Sequence, residues 1–248
     1  MTLNLYPLPI DAIAWCIGAA VLWIYSLKSY LNYRVTKNPL VPMYLGIGIP
    51  LGAACLLFGL PLLLTNNTEV LFYTNFIGDV CVQITMLSQA WLAWFVGWRR
   101  FIPLWVILLI TAGISVPLLI IEYQTSAVSV STSPYLLVYT DASIVLWLKS
   151  LLYVLIAWPI GYFFIRHGIS ENSTRARTKS IATGVTFILI SGAAVVINIF
   201  NHGSATFSNA VQNFVIFSIF LIITLWPHQK SQPIRIPNQS ADKPVFKY

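Results

Sequence analysis

The sequence predicts an all-α polytopic membrane protein with seven transmembrane helices, and three observations carry that prediction. Only 8% of the residues are charged while 58% are hydrophobic, and the mean hydropathy is +0.78; a soluble domain carries roughly 25% charged residues. Seven apolar segments bounded by charges, Asn or Pro have the length of about 20 residues that a helix needs to cross a bilayer core about 30 Å thick. Of the 14 Lys and Arg residues, all but Lys149 fall in alternate gaps between these segments or in the tail. None of the segments shows the period-two alternation of a membrane β-barrel strand.

The first segment, Pro9 to Leu31, has no basic leader and no small-residue cleavage site, so it reads as a retained helix and not as a signal peptide. The second, Leu40 to Leu64, contains Pro50, Pro61 and Gly52-Ala53-Ala54. The third, Val70 to Trp98, carries Asp79 and ends in Trp91, Trp94 and Trp98, placed as an interfacial aromatic belt. The fourth, Ile102 to Ile121, contains Pro117. The fifth, Ala142 to Ile165, holds Lys149 and a Trp158-Pro159 step that is the best hinge candidate. The sixth runs from Ile181 to Phe200 and the seventh from Phe207 to Trp226, after which the Pro, Gln, Ser and Lys content of residues 227–248 predicts a disordered basic tail. The bundle is thus expected over residues 1–226.

Lys28, Arg34 and Lys37 flank the first gap, Arg99 and Arg100 the third, and Arg166, Arg175, Arg177 and Lys179 the fifth, while the second, fourth and sixth gaps hold no Lys or Arg. The positive-inside rule then places the N-terminus outside and the C-terminus in the cytoplasm, which requires an odd number of helices. The cell membrane is the expected location. A net charge of +7 spread over short gaps at a membrane surface points to anionic lipid and away from nucleic acid. Asn66-Asn67-Thr68 matches a glycosylation sequon but lies too close to two membrane ends to be given weight.

A faint internal repeat relates the two halves. Asn75 and Asp79 in the third segment align with Asn209 and Asn213 in the seventh, Gly52-Ala53-Ala54 with Gly192-Ala193-Ala194, and Asp11-Ala12 with Asp141-Ala142. This suggests two three-helix units joined by the fourth helix, a 3+1+3 plan; chance matching in apolar sequence is the competing account.

Asp79 and Lys149 are the central candidates for function. Each costs about 2.5 to 3.5 kcal/mol near the bilayer centre if left alone, so each needs a partner or a wet cavity. Counted from the outer ends of their segments, they lie at depths of roughly 14 and 12 Å at 1.5 Å per residue, close enough to pair. Asn75, Gln83 and Gln89 share an arc with Asp79, and Asn198, Gln212 and Asn213 add donors and acceptors at similar depth. Together these residues are candidates to line an outward-opening polar pocket for an unknown small or lipid-like ligand. The competing account is that Asp79 and Lys149 pair only to fix helix register.

Several classes of chemistry find no support. His167, His202 and His228 lie in or beside gaps, so no intramembrane metal or haem site is expected. Cys16, Cys55 and Cys81 lie within apolar segments without ligand spacing. With no nucleophile motif and no Gly-rich phosphate loop, neither an enzyme nor a cofactor is expected.

The seven segments, with a basic fifth gap ending Arg175-Ala176-Arg177-Thr178-Lys179 directly before the sixth, resemble in architecture the seven-helix membrane sensor modules of bacterial histidine kinases. The resemblance implies a sensor or receptor that binds its ligand outside and signals inside. No kinase domain follows Trp226 here, so it also implies a separate cytoplasmic or membrane protein partner. A microbial rhodopsin would share the plan, but the seventh segment has no lysine for retinal. The SWEET sugar transporters are similar in helix number and repeat, yet their matching mid-span prolines are missing from the first and sixth segments. A transporter with Asp79 and Lys149 at its site, and a structural membrane subunit, remain the alternatives.

Overall fold

A computed structural model describes residues 10–65, 67–125, 127–130, 137–140 and 143–200. The first helix spans Ile10–Thr36, the second Val41–Leu64, and the third Thr68–Ala93, continuing through a π turn at Trp94–Trp98. The fourth spans Leu104–Thr125. The fifth runs from Ser143–Leu152 through a second π turn, Tyr153–Ala157, into Trp158–Ser170, and the sixth is Thr174–Phe200. All six are long and apolar enough to cross a membrane, which makes the chain a multi-pass membrane protein by length and composition. The expected seventh helix, the tail, and with them Gln212, Asn213 and the repeat matches at Asn209, Asn213 and Asp141-Ala142, lie outside the described residues.

The fourth gap holds a feature that apolar periodicity passes over. Strands β1 (Ala127–Val130) and β2 (Leu137–Thr140) pair antiparallel, Ala127 opposite Thr140, and β1 lies against the third helix. Alternation of Val with Ser in the first strand and the Leu-Val-Tyr-Thr run of the second are ordinary strand composition. We call the end of the bundle bearing this sheet the hairpin end, and the end bearing Arg99 and Arg100 the basic end.

Local signals set the helix ends. Asn67 accepts hydrogen bonds through Oδ1 from the Glu69 and Val70 amides at 3.0 and 3.4 Å, satisfying donors that the third helix leaves open at its start. The first helix stops at Lys37, whose φ of 51° is left-handed and cannot be propagated by an L-residue. The π turn in the fifth helix directly precedes Trp158-Pro159. Proline has no amide hydrogen for the α-helical bond to residue 155, and a wider turn relieves the ring's clash with that carbonyl.

Packing follows from small residues, since lipid gives apolar surfaces no reason to leave it. Gly48, Gly52 and Gly59 of the second helix meet Ser26, Trp23 and Ala12 of the first, and the Phe58 ring covers Gly78 of the third. The fifth and sixth helices cross where Gly161 and Gly184 face each other's carbonyl oxygens. Gly52 therefore does what its size suggested, whereas Gly192 meets no side chain or backbone among the described residues. The third helix is the hub, touching the second, fourth and fifth. A dry core of Met43, Ile47, Met86, Ala90, Leu118, Leu152 and Ile156 joins these four helices. At the hairpin end of this core the three helices present charge.

Candidate functional site

The third helix places Asn75, Asp79 and Gln83 four residues apart, on one face that turns inward. Asn75 Nδ2 donates to Asp79 Oδ2 at 3.3 Å. Lys149 of the fifth helix brings its Nζ to 3.3 Å from Asp79 Oδ1 and to 2.6 Å from Glu122 Oε1 of the fourth helix. One ammonium therefore bridges carboxylates from two other helices.

Helix direction explains the convergence. Side chains tilt toward the N-terminus of their own helix. Glu122 lies about 5 Å from the hairpin end of the fourth helix, which begins at the basic end, so its side chain tilts deeper. Lys149 lies about 9 Å from the hairpin end of a helix running the other way, so its stem rises to meet it.

Burial is strong. The Glu122 side chain is 2% exposed, Asp79 9% and Lys149 16%. Charges this far from water persist only when paired and hydrogen-bonded. Glu122 Oε2 has no hydrogen-bond partner among the described residues, and the same holds for Gln83 Oε1, Ser115 Oγ and Gln89 Oε1. Asp79 and Glu122 thus bring their carboxyl groups to the same ammonium. Tyr153, one turn beyond Lys149, lies within electrostatic range of all three charged groups.

Of the residues singled out in the sequence, the structure brings Asn75, Asp79 and Lys149 into one hydrogen-bonded set and buries Gln83 one turn from Asp79. Asn198 lies on the sixth helix near its described end, and nothing is stated of its side chain; Gln212 and Asn213 fall outside the described residues. Two surface grooves are defined by neighbouring side chains. One is an apolar furrow lined by Phe76, Val116 and Tyr123 between the third and fourth helices, the other lies against Arg177 and Ile181, and neither includes a member of the triad.

Glu122 is the member that sequence reasoning missed. Drawing the fourth segment to end at its first charge placed the boundary at Ile121, one residue short, whereas the helix continues to Thr125. The available signal was the polar face Thr111, Ser115 and Glu122, which repeats at helical spacing and is buried throughout.

Among the described residues no group of three or more His, Cys, Asp or Glu side chains is placed to hold a metal ion. The three cysteines are free. No protein-family model matches the chain, and no characterised protein matches it in sequence.

Proposed function

We propose that the protein is a sensor- or receptor-like seven-helix module of the cell membrane, with the hairpin end outside and the basic end in the cytoplasm. The observation that supports this most is the shared ammonium. Lys149 is a single electrostatic joint for the third, fourth and fifth helices, so any agent that competes for one of its contacts changes how all three pack. The π turn four residues further along the fifth helix gives that helix a place to bend. A small or lipid-like ligand reaching the triad from the hairpin end moves the basic ends, where Arg99, Arg100, Arg177 and Lys179 meet a cytoplasmic partner. The architectural resemblance to kinase-linked sensor modules and the 3+1+3 plan belong to the same proposal.

The test is a distance measurement. Spin labels at Arg100 and Ser173, in full-length protein in lipid nanodiscs, are expected to change separation in Lys149→Met. Unchanged separations in a folded variant argue for the second reading, a structural subunit. That reading is favoured by the direct contact of Lys149 with both carboxylates. Solute flux in proteoliposomes that Asp79→Asn abolishes would establish the transporter instead.

A further inference from the structure

A triad built only to fix helix register needs one carboxylate per ammonium, and this one has two. When all three groups are ionised the set carries one net negative charge inside the bilayer, which is costly in a medium of low dielectric. No further cation from the described helices offsets it. The first helix carries Lys28 and Arg34 in the half toward the basic end, the second has no charged side chain, the sixth has none beyond Lys179, and the remaining cations of the third, fourth and fifth helices lie at the basic end.

Two observations indicate what supplies the missing positive charge. Asp79 and Glu122 both close on Lys149 Nζ, at 3.3 and 2.6 Å, so their carboxyl groups stand together, yet an ionised carboxylate can only accept hydrogen bonds. Glu122 Oε2, on a residue 2% exposed, has no donor among the described residues. Two carboxyl groups beside one ammonium, one of them with a buried oxygen that has no donor among the described residues, call for one further hydrogen. We infer that the Asp79–Glu122–Lys149 triad binds one exchangeable proton, shared between the two carboxyl groups. The proton arrives from water at the hairpin end and leaves by the same route.

The surrounding groups fit this arrangement. Asn75 and Asp79 face the site from the third helix, Glu122 from the fourth, and Lys149 and Tyr153 from the fifth. The Tyr73 and Tyr123 rings, both packed against Phe72, lie toward the hairpin end on the third and fourth helices. Losing the proton leaves two carboxylates competing for one ammonium, which drives the third and fourth helices apart. Proton concentration is then the input of the module. That consequence rests on the sensor reading proposed above; the proton site itself does not.

The experiment is infrared difference spectroscopy between acid and alkaline pH on full-length protein in lipid nanodiscs, paired with the spin-label distances. The expected result is a band from a protonated carboxyl that shifts in heavy water. It should be lost in Glu122→Gln and also in Asp79→Asn, because either change leaves one carboxylate matched to one lysine. Absence of the band from the folded wild-type protein at every pH overturns the inference without recourse to any variant. So does a band that survives both substitutions. A band present in choline chloride and weakened by sodium chloride still supports the proton and shows an alkali ion competing for the same site. A band with the expected losses, but no pH-dependent change in distance, supports the proton site and removes the sensor reading.

Discussion

Lys149 approaches Glu122 more closely than Asp79, at 2.6 against 3.3 Å, although Asp79 is the partner that depth along the helices suggests. The ammonium is the member that both carboxylates depend on, and this sets how the site should respond to loss of each charge.

Lys149→Met leaves two buried carboxylates without a cation and is expected to be the most damaging change at the site. Breaking a buried pair by removing one partner costs about 3–5 kcal/mol. Glu122→Gln and Asp79→Asn each leave a matched pair and should cost about 0.5–1.5 kcal/mol, the value of a hydrogen bond. Thermal unfolding in detergent micelles gives the ranking. Equal losses for all three variants would contradict it.

The crossing of the fifth and sixth helices depends on Gly161 and Gly184. A methyl group on Gly184 would lie 2.5 Å from the Gly161 carbonyl oxygen, and one on Gly161 would lie 2.8 Å from the Gly184 oxygen. Backbone cannot move aside as a side-chain tip can, so Gly184→Val should destabilise by about 1–3 kcal/mol. Gly113→Ala, which meets nothing within 4 Å among the described residues, serves as the control. The same micelle assay separates the two.

At the basic end, the Trp94 indole donates to the Ile102 carbonyl at 2.7 Å and holds the turn between the third and fourth helices. Trp94→Phe keeps a ring in place and removes the donor. Hydrogen exchange at residues 99–102 should accelerate, with a global loss of only about 1 kcal/mol. Unchanged exchange in this turn would show that the bond does not hold it.

The proposed orientation is checked by labelling single cysteines on a background in which Cys16, Cys55 and Cys81 are replaced by Ala. Glu69→Cys, on an exposed position at the hairpin end, should react with a membrane-impermeant maleimide on intact cells. Arg100→Cys should react only after permeabilisation. The opposite pattern would invert the bundle.

Much of the fold was legible because bilayer thickness sets helix length, and the six described spans fall where the apolar segments were drawn. The β1–β2 sheet was not, because an apolar-length criterion treats every gap as loop and gives no weight to a Val-Ser alternation of four residues. The site was legible in part. Asp79 and Lys149 stand out because charge is rare inside an apolar segment, and their matched depths suggest the contact that the structure makes. Glu122 was hidden by its position one turn from a helix end, where a charge reads as a boundary. Only its helical spacing from Ser115 and Thr111 distinguishes it from a surface residue. Which side chains share a level across three helices depends on tilt and rotation, and these are set by contacts such as Gly161 with Gly184 that no single segment contains.

The fourth helix is the most lightly held of the first five spans, with 22% of its apolar stretch buried against 33–39% for the others. Leu109, Ile110 and Val116 turn outward over most of its length. Acyl chains thus grip this helix more extensively than protein does, while its Glu122 makes the shortest contact to the ammonium. A thinner or thicker bilayer that tilts the helix pulls first on that 2.6 Å link.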